Sequence, residues 1–452
     1  MSEPRLDIIA VVDEGLGHSS YVVALGDGSA LVVDPARLPD RQRRLATERG
    51  WTLRWTADSH SHADYISGSP ELATQGATFL ASRGADLEVA HRPIEPGEAV
   101  VVASGTELRA IPTPGHTPDH LAYLLTVDGQ AEALFSGGSL MVGALGRTDL
   151  LGDERCDELT RSLFRALRTE VMTLPDDLAV YPTHGAGSFC SAPARAGRTT
   201  TIGIERATNP LLAIDDEDRF VAEMLAGLGT FPGYFRELPE RNRRGPRLYS
   251  APPTLPRLDV AAVRTRLSEG AALVDARRID AFAAAHVTGS MSIEHRPVFA
   301  SWLGWLVALD RPIVFVLDDT TDRDALVRQS LTVGHENLLG ELDGGVDAWA
   351  VAGLPVEQTT IVGPGEVRGT LLDVRQSLEW AAGHVPGSVH VELASLASTP
   401  TDDRPVTVLC GHGERAMTGA SILQAAGHSG VAVLRGGPGD VAAAMGTTLE
   451  TG

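Results

Sequence analysis

The 452-residue sequence contains no lysine; all 38 of its basic residues are arginine. That absence excludes Schiff-base chemistry and the lysine-dependent phosphate loop, whatever the fold. Cysteine is almost missing too. Cys156, Cys190 and Cys410 form an odd, sparse set, which points to a reducing cytoplasm rather than a disulfide framework. No apolar run approaches the ~20 residues needed to cross a bilayer. The charged start, Met1 to Leu6, runs straight into an apolar strand and does not read as a signal peptide. A cytoplasmic protein without a membrane partner is therefore expected. Positive charge is scarce overall: 59 acidic residues give a net charge of -21. This argues against a duplex nucleic-acid surface and leaves small molecules or proteins, including copies of itself, as partners.

What is present is an ordinary globular composition, 43% hydrophobic and 21% charged, in a chain too long for one core. Residues 1–236 open with short apolar strands (Leu6–Val12, Ser20–Leu25, Ala30–Val33) and include helical segments such as Cys156–Leu167 and Arg219–Leu228. Residues 237–256 are rich in Pro and Arg, lack apolar periodicity and read as a linker. Behind them lies an internal repeat, 257–358 and 359–452. Leu273-Val-Asp275-Ala-Arg277 precedes His286-Val-Thr-Gly289-Ser290; Leu372-Asp373-Val-Arg375 precedes His384-Val-Pro-Gly387-Ser388 at the same spacing. Each copy continues with an apolar strand (Pro312–Leu317, Pro405–Leu409) and a glycine pair (Gly344-Gly345, Gly436-Gly437). Strands alternating with helices make each copy an α/β unit with a mostly parallel sheet.

In the second copy the strand runs into Cys410-Gly411-His412-Gly413-Glu414-Arg415 and then a helix. A strand, a tight loop and a helix put Cys410 at a helix N-terminus, where free N–H groups and the positive dipole end stabilise an anion. Arg415 adds a second positive field, and the thiolate is the nucleophilic form. Four residues separate Cys410 from Arg415, a cradle smaller than a phosphate needs and suited to one sulfur atom. Alone, a buried cysteine after a core strand would more often be inert. The corresponding strand of the first copy ends in Asp318-Asp319-Thr-Thr. An Asp cannot carry sulfur, so that copy is expected to pack, orient or dock a partner. Trp302 and Trp305 there are spaced like a helical core face.

These features resemble the rhodanese family: the Asp-x-Arg strand end, the His-x-x-Gly-Ser element and the Cys-x-x-Gly-x-Arg loop. The resemblance implies sulfurtransferase activity with Cys410 as sulfur acceptor. It also implies Arg415 as anion stabiliser and the backbone of Gly411, His412, Gly413, Glu414 and Arg415 as the persulfide cradle. The implied substrates are thiosulfate, a low-molecular-weight persulfide or a small thiol.

The N-terminal block places histidines in three Gly/Pro-bounded loops: Ser59-His60-Ser-His62-Ala-Asp64-Tyr65, Thr113-Pro-Gly115-His116-Thr-Pro-Asp-His120 and Tyr181-Pro-Thr-His184-Gly. A His-x-His pair after a strand aims two imidazoles at one centre, a common metal arrangement. With Gly146-Arg-Thr-Asp149 and Asn242-Arg-Arg-Gly-Pro246, the block resembles the persulfide dioxygenase branch of the metallo-β-lactamase superfamily. The whole chain resembles bacterial fusions of that branch with two rhodanese domains. The implied fold is an αββα sandwich followed by two tandem α/β domains. Two departures stand out. Tyr65 replaces the last His of the first motif, and Gly138 replaces the Asp that would complete an iron site with His60 and His116. His60, His62 and His116 remain as a three-histidine set suited to Zn(II) at least as well as Fe(II). Asp64 and His184 read as remnants of a second site, hydrogen-bonded with His62. The expected reading is sulfur transfer with an impaired oxidative site; a working iron dioxygenase and a non-catalytic docking scaffold are the alternatives.

Overall fold

The computed structural model describes residues 6–190, 197–398 and 404–452. The chain divides into two compact units, Met1–Pro252 with Leu331–Gly334, and Pro253–Ser330 with His335–Gly452.

The first unit carries two six-stranded sheets, each with its strands in chain order. One sheet comprises Ile8–Asp13, His18–Ala24, Ser29–Val33, Thr52–Ala57, Thr78–Ser82 and Arg92–Ile94; the other comprises Ala99–Ala103, Thr106–Pro112, Leu121–Val127, Gln130–Gly137, Ala179–Pro182 and Thr200–Thr201. Period-two alternation sorts their side chains. Tyr21, Val23, Leu31 and Val33 face the seam between the sheets with Leu108, Tyr123, Leu125 and Phe135. Val22, Ala30 and Val32 face outward and are covered by Leu45 and Leu72. Leu134 and Val180 of the second sheet meet Leu163, Leu167, Phe220 and Met224 of the helices Asp153–Thr169 and Glu217–Ala226. Each such buried Leu or Phe contributes about 1.5–3 kcal/mol relative to exposure. The layering is helix, sheet, sheet, helix, as expected.

The segment expected to be a linker is partly folded. Leu238–Arg244 is a helix with Pro at its first turn, and its Leu238 and Asn242 are buried. Asn242 Nδ2 donates to His62 O at 2.9 Å and Tyr65 O at 3.0 Å, so this helix braces the first histidine loop. Few apolar residues take part, which is why hydrophobic periodicity did not reveal it.

In the second unit the repeat is visible strand by strand. The first copy pairs, in spatial order, Arg257–Leu258, Leu338–Leu342, Ile313–Val316, Ala272–Asp275 and Met291–Ser292. The second pairs Thr360–Val362, Val431–Leu434, Val406–Leu409, Thr370–Asp373 and Val389–His390 in the same order. Pairings within each five-stranded sheet are parallel. The central strands Ile313–Val316 and Val406–Leu409 are buried on both faces, as parallel sheets require. Both copies lie in one compact unit rather than two.

Candidate functional sites

The shared motifs of the two copies turn out to be fold-holding. Arg375 grips Asp373 through Nε and Nη2, closest at 2.7 Å, and donates to Gly383 O at 2.8 Å. Arg277 does the same to Asp275 at 2.6 Å and Ala285 O at 2.8 Å. His384 stacks on Trp380 at 3.6 Å and His286 on Phe282 at 3.9 Å. Ser388 and Ser290 each donate to a carbonyl three residues back at 2.7 Å.

The chemistry-bearing loop of the second copy follows strand Val406–Leu409 and precedes the helix Glu414–Ala425. Cys410 is a free, buried thiol. Its Sγ accepts from Gly413 N–H at 3.1 Å. That N–H is available because Gly413 adopts φ 123, a left-handed conformation that side-chain-bearing residues avoid. Arg415 lies beside the loop, with Nη2 3.9 Å from where a Cβ on Gly411 would stand. Its guanidinium is engaged by Glu379, Nη1 to Oε2 at 2.6 Å and Nη2 to Oε1 at 2.8 Å. Although burial opposes it, this pairing raises the Arg415 pKa, with a smaller contribution from Cys410. Trp302 of the first copy covers the guanidinium at 5.6 Å, so the expected core tryptophan also walls the site. His412 is exposed and Glu414 half-buried.

The first copy has no such cradle. Asp318 Oδ1 accepts from Thr320 N–H at 2.9 Å and Thr320 Oγ1 at 2.6 Å, so its carboxylate takes the loop's own donors. Arg323 keeps the spacing of Arg415 but is bound to Glu341 at 2.9 Å. A cavity of about 310 Å³ remains there, lined among others by Arg277, Asp318, Arg323 and Glu341.

In the first unit the three histidine loops converge, but not in the expected set. His60, His116 and His184 gather one ring nitrogen each within 4.8 Å. His62 turns away, its Nε2 3.3 Å from Asp34 Oδ1 and 3.2 Å from the Tyr65 hydroxyl. The ligand atoms that lie together are those of His60, His116 and His184, with His62 instead grouped with Asp64 and His184 and with Asp34 and Asp58. The remnant Asp64 lies 3.4 Å from His184 Nδ1 rather than idle. Tyr65 stacks on His62 at 4.3 Å and on His18 at 4.5 Å, filling the space its predecessor imidazole would leave open.

Tautomers follow from the partners. His116 Nδ1–H donates to Arg147 O at 2.7 Å, which leaves Nε2 as a bare lone pair without a partner. Ser59 Oγ donates to Asp34 Oδ2 at 2.7 Å, so it accepts from His60 Nδ1–H at 2.8 Å and leaves His60 Nε2 as an acceptor. That Nε2 faces His184 Nε2 at 3.3 Å. Converging lone pairs in a buried site repel unless a proton or a cation lies among them. Burial, with His184 adding to it, pushes His116 down to about 3; burial and the neighbouring imidazoles hold His60 well below its usual range. His184 rises instead, against its burial, beside Cys190 and Asp64. Burial would raise Asp64, but His184 and then His62 hold it at about 2.

Gly138 leaves no gap for the missing carboxylate. A Cβ there would lie 2.3 Å from His116 Cδ2, so the imidazole occupies that position. His60 is 3% exposed and His116 and His184 1% each. The cavity that reaches His60 and His62 holds about 20 Å³, roughly one water. Three imidazoles can hold one divalent cation, and an overlapping group, His62, Asp64 and His184, brings two imidazoles and one carboxylate within 4.8 Å of one another.

Two participants were not apparent from the sequence. Asp34 is fully buried and organises Ser59, His62 and Thr183. Its signal was an Asp-Pro step closing the apolar run Ala30–Val33. Glu379, on the short helix Ser377–Ala382, carried no such signal.

A two-sheet sandwich with three histidine loops at its strand ends, followed by two parallel-sheet repeats, defines a metallo-β-lactamase fold joined to a duplicated rhodanese fold. Residues 259–352 and 360–443 match the rhodanese-like domain family. The N-terminal region is 33% identical over 213 residues to the hydroxyacylglutathione hydrolase of Rhodobacter capsulatus, covering 42% of this chain and 78% of that protein. It is 29% identical over 208 residues to the human protein named persulfide dioxygenase ETHE1, mitochondrial, covering 44% and 74%. The chain spans 61% of the length of a Polaromonas hydroxyacylglutathione hydrolase, at 32% identity. A solved metallo-β-lactamase of Staphylococcus aureus matches with TM-score 0.66 and 25% identity, covering 74% of this chain and 98% of that one. The chain belongs to the metallo-β-lactamase-fold family of hydroxyacylglutathione hydrolases and persulfide dioxygenases, extended by two rhodanese-like domains. Among the described residues no helix is long and apolar enough to cross a membrane.

Proposed function

We propose that this chain is a sulfurtransferase that carries sulfane sulfur as a persulfide on Cys410. The carrying observation is the cradle: a free thiol at a strand end, its sulfur accepting from Gly413 N–H at 3.1 Å before a 12-residue helix, with Arg415 alongside. Backbone N–H groups and a helix N-terminus stabilise a thiolate and, after transfer, a terminal persulfide sulfur. The N-terminal relative named for persulfides supports the same substrate class, as do the rhodanese repeats. Only the second copy acts; Asp318 leaves the first without a nucleophile. Cys410→Ser is expected to lower sulfur transfer from thiosulfate or a persulfide to cyanide by on the order of 10³ or more. Retained transfer in that variant overturns the assignment.

For the N-terminal domain we favour a metal-holding, non-oxidising role. His60, His116 and His184 would hold one divalent ion once His184 gives up its proton, and the ion when bound would supply positive charge among the three ring nitrogens. A working iron dioxygenase is the second reading, supported by the family likeness. Oxygen uptake with a persulfide on iron-loaded protein tests it, uptake lost in His116→Ala being the result in its favour.

A further inference from the structure

The Cys410 cradle is short of free positive charge. Arg415 is the cation that the loop brings to its own mouth, and Glu379 binds it bidentately at 2.6 and 2.8 Å. Arg375, two residues past the neighbouring strand's Asp373, is spent on that carboxylate at 2.7 Å. Arg435, just past strand Val431–Leu434, is paired with Asp280. Glu414 adds a carboxylate within the loop, and no lysine exists anywhere to compensate. The guanidinium face is covered by Trp302 at 5.6 Å. Glu379 is itself anchored, since its Oε2 accepts from Gln376 N–H at 3.2 Å at the start of the helix Ser377–Ala382.

We infer that Glu379 is a specificity-determining, positioning residue that turns the site from thiosulfate toward organic persulfides. The inference rests on the sulfurtransferase reading. With a persulfide, the Cys410 thiolate attacks the terminal sulfur of R–S–SH. A bond forms to Cys410 Sγ, the R–S–S bond breaks, and RS⁻ leaves with the electron pair. The proton stays on the transferred sulfur, and one negative charge is conserved. With thiosulfate, the same thiolate attacks a dianion and expels sulfite, so three negative charges share the cradle throughout. That transition state needs a net cation at the mouth, and a guanidinium neutralised by Glu379 does not supply one. A persulfide, whose reacting end bears little charge, does not need it.

The test compares kcat/KM for thiosulfate and for glutathione persulfide in the full chain, in Glu379→Gln and in Glu379→Asp. The amide keeps an oxygen for the Gln376 N–H but removes the charge. Glu379→Gln is expected to raise kcat/KM for thiosulfate relative to persulfide by roughly tenfold, mainly through KM. Glu379→Asp is expected to restore the wild-type preference. The ratio is measured within one protein, so a folding defect lowers both numbers and leaves it unchanged. An unchanged ratio in Glu379→Gln, or a wild type that prefers thiosulfate, overturns the inference while leaving transfer at Cys410 intact. Loss of sulfur loading from both donors in the wild type overturns the underlying reading as well.

Discussion

Single residues shape both candidate sites. At position 138, where the family resemblance implies a carboxylate, a glycine lies against His116: a Cβ would stand 2.3 Å from its ring. Restoring a side chain there does not rebuild an iron site, because the ring must first be displaced. Gly138→Ala is therefore expected to destabilise the first unit by about 1–3 kcal/mol, measured by urea unfolding. An unchanged or raised midpoint would mean the ring moves freely. Tyr65 acts in the opposite sense, filling a vacated position and tying His62 into the Asp34 network. Both substitutions were visible in the sequence. Their consequence was not, because motif spacing does not tell which of four histidines faces which. The set with His184 depends on an Asp34–His62 contact across 28 positions of chain.

At the scale of elements, the two rhodanese loops are a natural comparison. Cys410 directly follows Leu409, the partner of Asp373, whereas Asp318 stands one residue further out, past Leu317, from Val316, the partner of Asp275. Gly413, three residues past Cys410, holds φ 123; three residues past Asp318 stands Thr321, a β-branched residue that avoids such a conformation. Asp318→Cys in a Cys410→Ser background is therefore expected to remain inert, because the thiol would stand one residue off the strand register of Cys410 and without a glycine three residues on. Measurable sulfur transfer by that double variant would show that the cradle is not needed. The repeat itself was legible because its motifs are structural: the Asp-x-Arg clamp and the stacked histidine must recur wherever this fold recurs. The helix Leu238–Arg244 was not legible, because its role rests on Asn242 hydrogen bonds rather than on an apolar stripe.

Across the whole molecule, the two α/β units followed from the internal repeat, and the αββα sandwich from the family resemblance that the histidine loops carry. The sites depend on long-range placement, and there the reading was partial. The proposed nucleophile, Cys410, is legible from its loop alone, but Glu379 comes from a separate helix and Trp302 from the other copy. The metal-like cluster was located but its membership was not. The first unit holds a buried imidazole cluster and the second a thiol cradle, and the proposed function places sulfur transfer on a single atom, Cys410 Sγ. The most direct test is intact-protein mass spectrometry after exposure to glutathione persulfide and removal of excess donor, followed by peptide mapping. The account predicts a gain of one sulfur atom on Cys410, removable by thiol, absent in Cys410→Ser and unaffected by Cys156→Ser or Cys190→Ser. Sulfur found on Cys156 or Cys190 instead, or none on Cys410, would contradict it.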